Sequence, residues 1–361
     1  MKKILVVIII LAAVGLATFF AWPYLRPLVS QTNSVPAIPP AGPAPTANAQ
    51  NLHKETDDSI FSYWLTDAGD IIYVDQSGKV YRLSHGNREE LILQKIADLQ
   101  SFVASGDGSY AVAAFGPRLA PTFSLLSVKN KTWQPLPTDV TSVVWDRTRN
   151  RLLYLKQTDG LATLNVFDVS TKKTTEIIRF PSQGIKLIWT GTDKVYVGEA
   201  SSANAGSALL SLNLKNRSVS LFTKDTPGLM SSWAPDGSLG LIFANSFKEN
   251  ALILSDGKGT PLGKPLFGTT LPSKCLVESQ LIFCAVPREI PSGIILPDDW
   301  LTRKFYSEDK ILSFNVKTNE VKTLFDNPTP SIDAEQLNRH GNTLYFVNRY
   351  DQKLYSLVIG N

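Results

Sequence analysis

The fold is decided by residues 231–243, which read SSWAPDGSLGLIF. The first residues of this stretch predict a short strand that ends at Trp233. Pro235, Asp236 and Gly237 then predict a tight turn, because proline presets its φ angle and glycine accepts a positive φ. The apolar residues that follow predict a second strand. Weaker copies of this unit recur along the chain, and that repetition predicts the fold.

The repeat is marked by one position, occupied here by Trp233, with an apolar strand starting seven or eight residues later. The same position is held by Trp64, Ala104, Trp145, Trp189, Trp233, Cys275 or its neighbour, and Leu337. Most successive positions are about 40 to 44 residues apart, and the last step is about 62 residues. A period near 42 with several short strands per repeat is typical of a β-propeller.

The second half of each repeat reads as a hairpin of two further strands. Residues 165–178 show the pattern most clearly, and residues 80–93, 209–222 and 311–324 repeat it. We therefore predict an all-β domain over residues 59–361, a seven-bladed β-propeller of four-stranded antiparallel blades. The seventh blade is short. Its outer strand is either missing or supplied by the segment just before Ile60.

The N-terminus predicts one transmembrane helix. Residues 4–22 carry no charge and would span about 28 Å as a helix, enough to cross a bilayer core. Lys2 and Lys3 precede the span, so we expect the N-terminus in the cytoplasm and the propeller outside it, on a single-pass protein of the cell membrane. The alternative is a cleaved signal peptide, but the run is long for one and no small-x-small site ends it.

Two segments therefore precede the propeller. Residues 1–28 are the predicted membrane anchor. Residues 29–58 are predicted to be a disordered linker, since they carry five prolines among Ala, Ser, Thr, Asn and Gln and cannot bury a core.

Composition and motifs exclude several functions. The net charge is +4 and the basic residues are scattered, which argues against a nucleic-acid partner. Two cysteines and three distant histidines make no metal-ligand set, so we expect no metal and no other cofactor. No Gly-x-Ser-x-Gly elbow, phosphate-binding glycine loop or His-Glu-x-x-His motif occurs. The sequence therefore identifies no candidate catalytic residue.

Trp233-Ala234-Pro235-Asp236-Gly237 resembles the Trp-Ser-Pro-Asp-Gly core of TolB-like propeller repeats. Residues 274–300, with Cys275, Cys284 and Trp300, look like those of a membrane-anchored bacterial subgroup whose activity is unassigned. The resemblance covers roughly residues 60–361 and is good in the fifth blade only. It implies the propeller fold and an anchored topology, and it implies no catalytic residue.

The recurring tryptophans could pack between blades or serve as stacking platforms for sugars. We predict packing, because a Trp repeated at one structural position usually belongs to the core. The Asp-Gly turns supply too few oxygen ligands for calcium. Cys275 and Cys284 flank a predicted hairpin turn, so we predict a disulfide between them, with two buried free thiols as the alternative.

The candidate binding site lies in the extra length of the last repeat, between Pro287 and Asp309. This insertion joins the second and third strands of blade six, on the propeller face where ligands commonly bind. It is too apolar to be disordered, so it either caps the core or presents a partner surface. The candidate binding residues are Asp298, Asp299, Trp300, Phe305 and Tyr306, with Trp300 as the expected anchor.

The sequence thus predicts an extracytoplasmic module that binds a protein or another envelope component and scaffolds it. The alternative is an enzyme, a hydrolase or lyase, that acts on envelope polysaccharide or peptide from a site assembled by distant blades. A purely structural surface protein is the third reading.

Overall fold

The computed structural model describes residues 51–181, 185–190, 193–245, 252–262 and 268–360. The predicted membrane span 4–22, the anchor 1–28 and the linker up to residue 50 lie outside these ranges. Within them, no helix is both long and apolar enough to cross a bilayer.

The described residues form seven antiparallel sheets, which are the seven predicted blades. Blade one is β2 (Ile60–Leu65), β3 (Ile71–Asp75), β4 (Val80–Ser84) and β5 (Asn87–Ile92). Blade two is β6 (Leu99–Ala104), β7 (Tyr110–Phe115), β8 (Thr122–Ser127) and β9 (Thr132–Pro135). Blade three is β10 (Val140–Trp145), β11 (Arg151–Thr158), β12 (Leu161–Asp168) and β13 (Lys173–Pro181). Blade four is β14 (Lys186–Trp189), β15 (Lys194–Gly198), β16 (Gly206–Asn213) and β17 (Val219–Pro227).

The remaining blades complete the ring. Blade five is β18 (Met230–Trp233), β19 (Leu239–Phe243) and β20 (Leu252–Asp256), three strands in the part of the chain that the structure describes. Blade six is β21 (Cys275–Val277), β22 (Leu281–Pro287), β23 (Asp309–Asn315) and β24 (Glu320–Phe325). Blade seven is β25 (Ala334–His340), β26 (Thr343–Asn348), β27 (Lys353–Val358) and β1 (Leu52–Lys54). A 3-10 turn (Pro272–Lys274) precedes β21, and helix α1 (Asp298–Leu301) follows β22.

The first strand of each blade lies at the centre of the ring, where β6 contacts β10 and β25 contacts β2. The chain therefore alternates between two faces. Turns between first and second strands lie on one face, which we call the turn face. Connections between second and third strands, and from blade to blade, lie on the other, which we call the insertion face because it carries the blade-six insertion.

The seventh blade closes with a strand from the N-terminal side. Strand β1 pairs with β27 in the register Leu52↔Leu357 to Lys54↔Tyr355. The segment before Ile60 thus supplies the outer strand, one of the two alternatives left by the sequence. The predicted domain boundary at residue 59 is wrong by several residues, because part of the predicted linker is a strand of the propeller.

The recurring tryptophans pack between blades, as predicted. Trp64, Trp145, Trp189 and Trp233 are all buried. The Trp233 ring stacks on Tyr196 of blade four, with 4.1 Å between ring centres. The indole N–H of Trp145 in blade three donates to the Val103 carbonyl of blade two at 2.9 Å. Buried rings in contact with a neighbouring blade cannot serve as sugar-stacking platforms.

The predicted disulfide is present. Cys275 and Cys284 are directly opposite in the β21–β22 pair and are bonded to each other. Both lie in the apolar core between blades five and six. The bridge therefore fastens the innermost strand of blade six to its neighbour.

Candidate functional site

The blade-six insertion, residues 288–308, crosses the insertion face instead of projecting from it. The Asp298 carboxylate, at the start of α1, accepts a hydrogen bond from the Ala203 N–H at 2.9 Å and another from the Ser202 hydroxyl at 3.3 Å. Both partners belong to the loop between the second and third strands of blade four. The insertion therefore reaches from blade six past blade five to blade four.

Trp300 lies beneath the insertion and not on its surface. Its side chain is 7% exposed and packs with Leu296 and Phe305 in the core between blades five and six. The expectation of an exposed tryptophan anchor is wrong, because the apolar residues of the loop fold inward and cap that core. Capping was the other role that the sequence left open.

Two cations from other parts of the chain surround the Trp300 ring. The Arg349 guanidinium carbon is 4.5 Å from the ring centre and the Lys274 ammonium nitrogen is 5.6 Å from it. Arg349 also donates to the Trp300 carbonyl at 3.0 Å. These contacts fix both the ring and the backbone of α1, so the helix is held rigidly over the channel.

Lys274 and Arg349 belong to a buried ionic cluster between blades six and seven. Lys274 bridges Asp309, at 2.8 Å, and Asp333, while Arg349 contacts Asp333 at 2.8 Å. The Ser307 hydroxyl accepts from the Lys274 ammonium at 3.0 Å. Two positive and two negative charges balance, which is what burial of so many ions requires. The cluster is a support for the insertion, since all four charged side chains are almost completely buried.

Asp309 has a perturbed carboxyl group in this cluster. Burial raises the pKa of its carboxyl group above the ordinary value, the Lys274 charge opposes that shift, and the Asp333 charge reinforces it. One Asp309 oxygen accepts from the Ala334 N–H at 2.8 Å, whereas the other has no partner among the described residues.

The other predicted binding residues differ in accessibility. The Asp299 carboxylate accepts from the Ile295 N–H at 2.8 Å and stabilises the turn before α1. Phe305 is buried. Tyr306 is 38% exposed and its ring lies 5.6 Å from that of Tyr350, which is also exposed. Of the five predicted residues, Tyr306 therefore presents the most accessible side chain.

The insertion divides the mouth of the central channel into two cavities. One has a volume of about 600 Å³ and is lined by Arg303 of the insertion together with Glu335 and residues of blades one and two. The other has a volume of about 470 Å³ and is lined by Leu301 together with Met230 and residues of blades two to four. The rigid insertion thus carries exposed apolar side chains and has a ligand-sized cavity on each side of it.

No sequence motif predicts the cluster of Lys274, Asp309, Asp333 and Arg349. Their only local signal is charge beside apolar strand residues, as in Lys274 before Cys275-Leu276-Val277. Their partners are up to several tens of residues away, so no local pattern joins them. Within the described ranges, no group of three or more His, Cys, Asp or Glu side chains is placed to hold a metal ion.

No protein family and no curated protein matches the sequence of this chain. Solved structures match the fold. Oligogalacturonate lyase from Vibrio parahaemolyticus is 11% identical with a TM-score of 0.59, over 88% of this chain and 96% of that one. The β-propeller domain of the trilobed protease from Pyrococcus furiosus is 11% identical with a TM-score of 0.54, over 80% and 91%. Identities this low show the propeller fold alone.

Other matches belong to longer chains. The tricorn protease matches with a TM-score of 0.53 at 9% identity, and this chain spans only 33% of its length. TolB from Acinetobacter baumannii is 15% identical with a TM-score of 0.40. That score is too low to establish the repeat family that the Trp233 motif resembles. The class defined by fold and site is a seven-bladed β-propeller with a bridged channel mouth.

Proposed function

We propose that this protein is a binding and scaffolding module at the cell envelope, anchored in the membrane through residues 4–22 and exposing its propeller outside the cytoplasm. The N-terminal sequence supports the anchor, through its uncharged run and the lysines before it. The disulfide between Cys275 and Cys284 supports an oxidising compartment. The ligand would be a protein or another envelope component.

The choice of the binding surface rests on one observation. The insertion is fixed from below by buried charges and at its far end by Asp298, yet it leaves Leu301 41% exposed at the channel mouth. A rigid apolar group beside a cavity loses little conformational entropy when a partner covers it. Leu301 and Tyr306 are therefore the proposed binding residues, in place of the buried Trp300.

The second candidate is an enzyme acting on envelope polysaccharide or peptide. The motive for this candidate is a shared fold alone, since an oligogalacturonate lyase has the same propeller over 88% of this chain. Against it, the perturbed carboxyl group of Asp309 and its partner Lys274 are buried beneath Trp300, where a substrate cannot reach them. Binding is therefore the better-supported role.

Site-specific photocross-linking tests the proposal. A photoreactive phenylalanine analogue replaces Leu301 in the full-length protein, expressed in its own membrane, and cross-linked adducts are identified after irradiation. The matched control places the same analogue at Leu221, which is 56% exposed on the outer strand β17. We expect a discrete adduct from position 301 and none from position 221. Equal adducts at both positions, or none at either, would contradict the proposed surface.

A further inference from the structure

The channel also opens on the turn face, where it forms a cavity of about 500 Å³. Its wall comes from the inner strands of six blades and from the turns that follow them. Most of the wall is apolar or neutral, and the charged residues that line it are Arg147 and Glu278. The cavity is on the opposite face from the insertion, so the proposed partner surface does not account for it.

Glu278 is already neutralised within this cavity. Its two carboxylate oxygens accept from the Arg339 guanidinium at 2.9 and 2.8 Å, a bidentate ion pair. Such a pair is stable in itself and leaves neither charge in need of another partner. Among the described residues that line the cavity, the charge left without a partner is the Arg147 guanidinium.

Arg147 makes no hydrogen bond or ion pair with any residue in the ranges that the structure describes. The Arg147 side chain is exposed to solvent in the channel, and the nearby cavity walls lower the pKa of its guanidinium. Groups with this kind of perturbed environment in a cavity are enriched at functional sites.

The backbone that carries Arg147 is rigid. The neighbouring Asp146 is fully buried and accepts from Arg151 and from the Thr148 N–H, which closes the turn. On the other side, a Cβ at Gly106 of blade two would lie 2.2 Å from the Arg147 carbonyl oxygen, so only glycine permits this approach. The Arg147 side chain is therefore attached to a fixed backbone, which lowers the entropy cost of binding.

We propose that the turn-face cavity binds a carboxylate-bearing ligand, with Arg147 as its counter-ion. The guanidinium presents paired N–H donors that match the two oxygens of a carboxylate. A net charge of one in the cavity balances one carboxylate and would leave a phosphate dianion undercompensated. The apolar wall, which includes Leu65, Leu276 and Leu337, suits an attached apolar group. A small organic acid and the C-terminus of a peptide share this chemistry.

Isothermal titration calorimetry with the full-length protein in non-ionic detergent tests the site and separates the two sources. The probes are trialanine, trialanine amide and butyrate, in a buffer free of carboxylates. We expect trialanine to bind and its amide to bind at least about tenfold more weakly, as loss of a charge-assisted hydrogen-bonded pair implies. Butyrate binding as tightly as trialanine would assign the ligand as a small acid, whereas weaker butyrate binding would assign it as a peptide C-terminus.

Two variants test whether Arg147 makes the contact with the carboxylate. Arg147→Gln should weaken trialanine binding by at least about tenfold. The control is Arg149→Gln, an exposed arginine on the same turn that does not line the cavity, and it should leave binding unchanged. If Arg147→Gln fails to fold, a thermal shift of the unaltered protein decides the question, since trialanine should raise its unfolding midpoint and the amide should not. Equal binding of trialanine and its amide, undiminished binding by Arg147→Gln, or no binding of any probe would overturn the proposal.

Discussion

Trp233 and Trp300 are both buried, but different neighbours hold them. Trp233 stacks on Tyr196 and lies so close to Gly240 that a Cβ there would be 2.4 Å from its ring. Trp300 lies in an apolar core with Arg349 and Lys274 against its ring. The first site could be predicted because it repeats along the sequence. The second could not, since its neighbours come from blades five, six and seven and only the fold brings them together.

Trp300→Ala should destabilise the protein by about 3–5 kcal/mol, because it removes a buried large aromatic side chain and leaves a cavity beside two charges. The matched control is Tyr306→Ala, which shortens a partly exposed ring of the same insertion and should cost about 1 kcal/mol or less. Denaturant unfolding followed by tryptophan fluorescence and far-UV circular dichroism measures both. A loss below about 1 kcal/mol for Trp300→Ala would mean that its ring is accessible after all.

The raised pKa of Asp309 makes stability depend on pH in a definite direction. Between the ordinary carboxyl pKa of 3.8 and the raised value, the folded protein holds a proton that the unfolded chain has released. Stability contributed by this group is therefore complete at low pH and falls as the pH rises through that window.

The variant Asp309→Asn tests this dependence, because its side-chain amide does not titrate. The free energy of unfolding of the unaltered protein, minus that of Asp309→Asn, should decrease from about pH 4 upward and then level off. A difference that grows with pH would show that the attraction of Lys274 outweighs burial.

The hairpin β21–β22 and the insertion that follows it act as one unit. The disulfide fixes the start of the hairpin, and the Asp298 contacts fix the far end of the insertion on blade four. The sequence predicted this disulfide because its two cysteines flank a turn. It predicted the insertion but not its path, since the path depends on the Ser202 loop, which looks merely small and polar in the sequence.

Replacing both cysteines by alanine should lower the free energy of unfolding by roughly 2–3 kcal/mol, the value expected for a closed loop of about ten residues. Chemical reduction of the unaltered protein should cause a similar loss. In the denatured, non-reduced protein neither cysteine should react with a thiol reagent, and both should react after reduction. Reaction of both without reductant would show that the bridge does not form in the protein as it is made in the cell.

The propeller ring is closed by hydrogen bonds between β1 and β27. Further contacts support the closure: the Glu55 N–H donates to the Leu354 carbonyl at 2.9 Å, and the Ser356 hydroxyl donates to the Glu55 carboxylate. The number of blades followed from the period of the sequence. The closing strand did not, because three residues, Leu52, His53 and Lys54, are too few to show an alternating pattern.

A protein that starts at residue 59 should be less stable than one that starts at residue 51, because it lacks β1 and exposes the edge of β27. Exposed strand edges pair with other chains, so the shorter protein should also associate at high concentration. Thermal unfolding and sedimentation velocity on the two truncated proteins measure these effects. The same unfolding midpoint and a monomeric state for both would show that β1 does not contribute to closure.

The pairing of β1 with β27 also determines when the ring can close during synthesis of the chain. Leu52 is among the first propeller residues to be synthesised and Leu357 among the last, so the seventh sheet cannot be completed until nearly the whole propeller has been made. Contacts this distant in sequence form slowly, because the intervening chain must first be brought together. Until then the edge of β1 is without its strand partner, and a nascent chain that is released early carries an open ring.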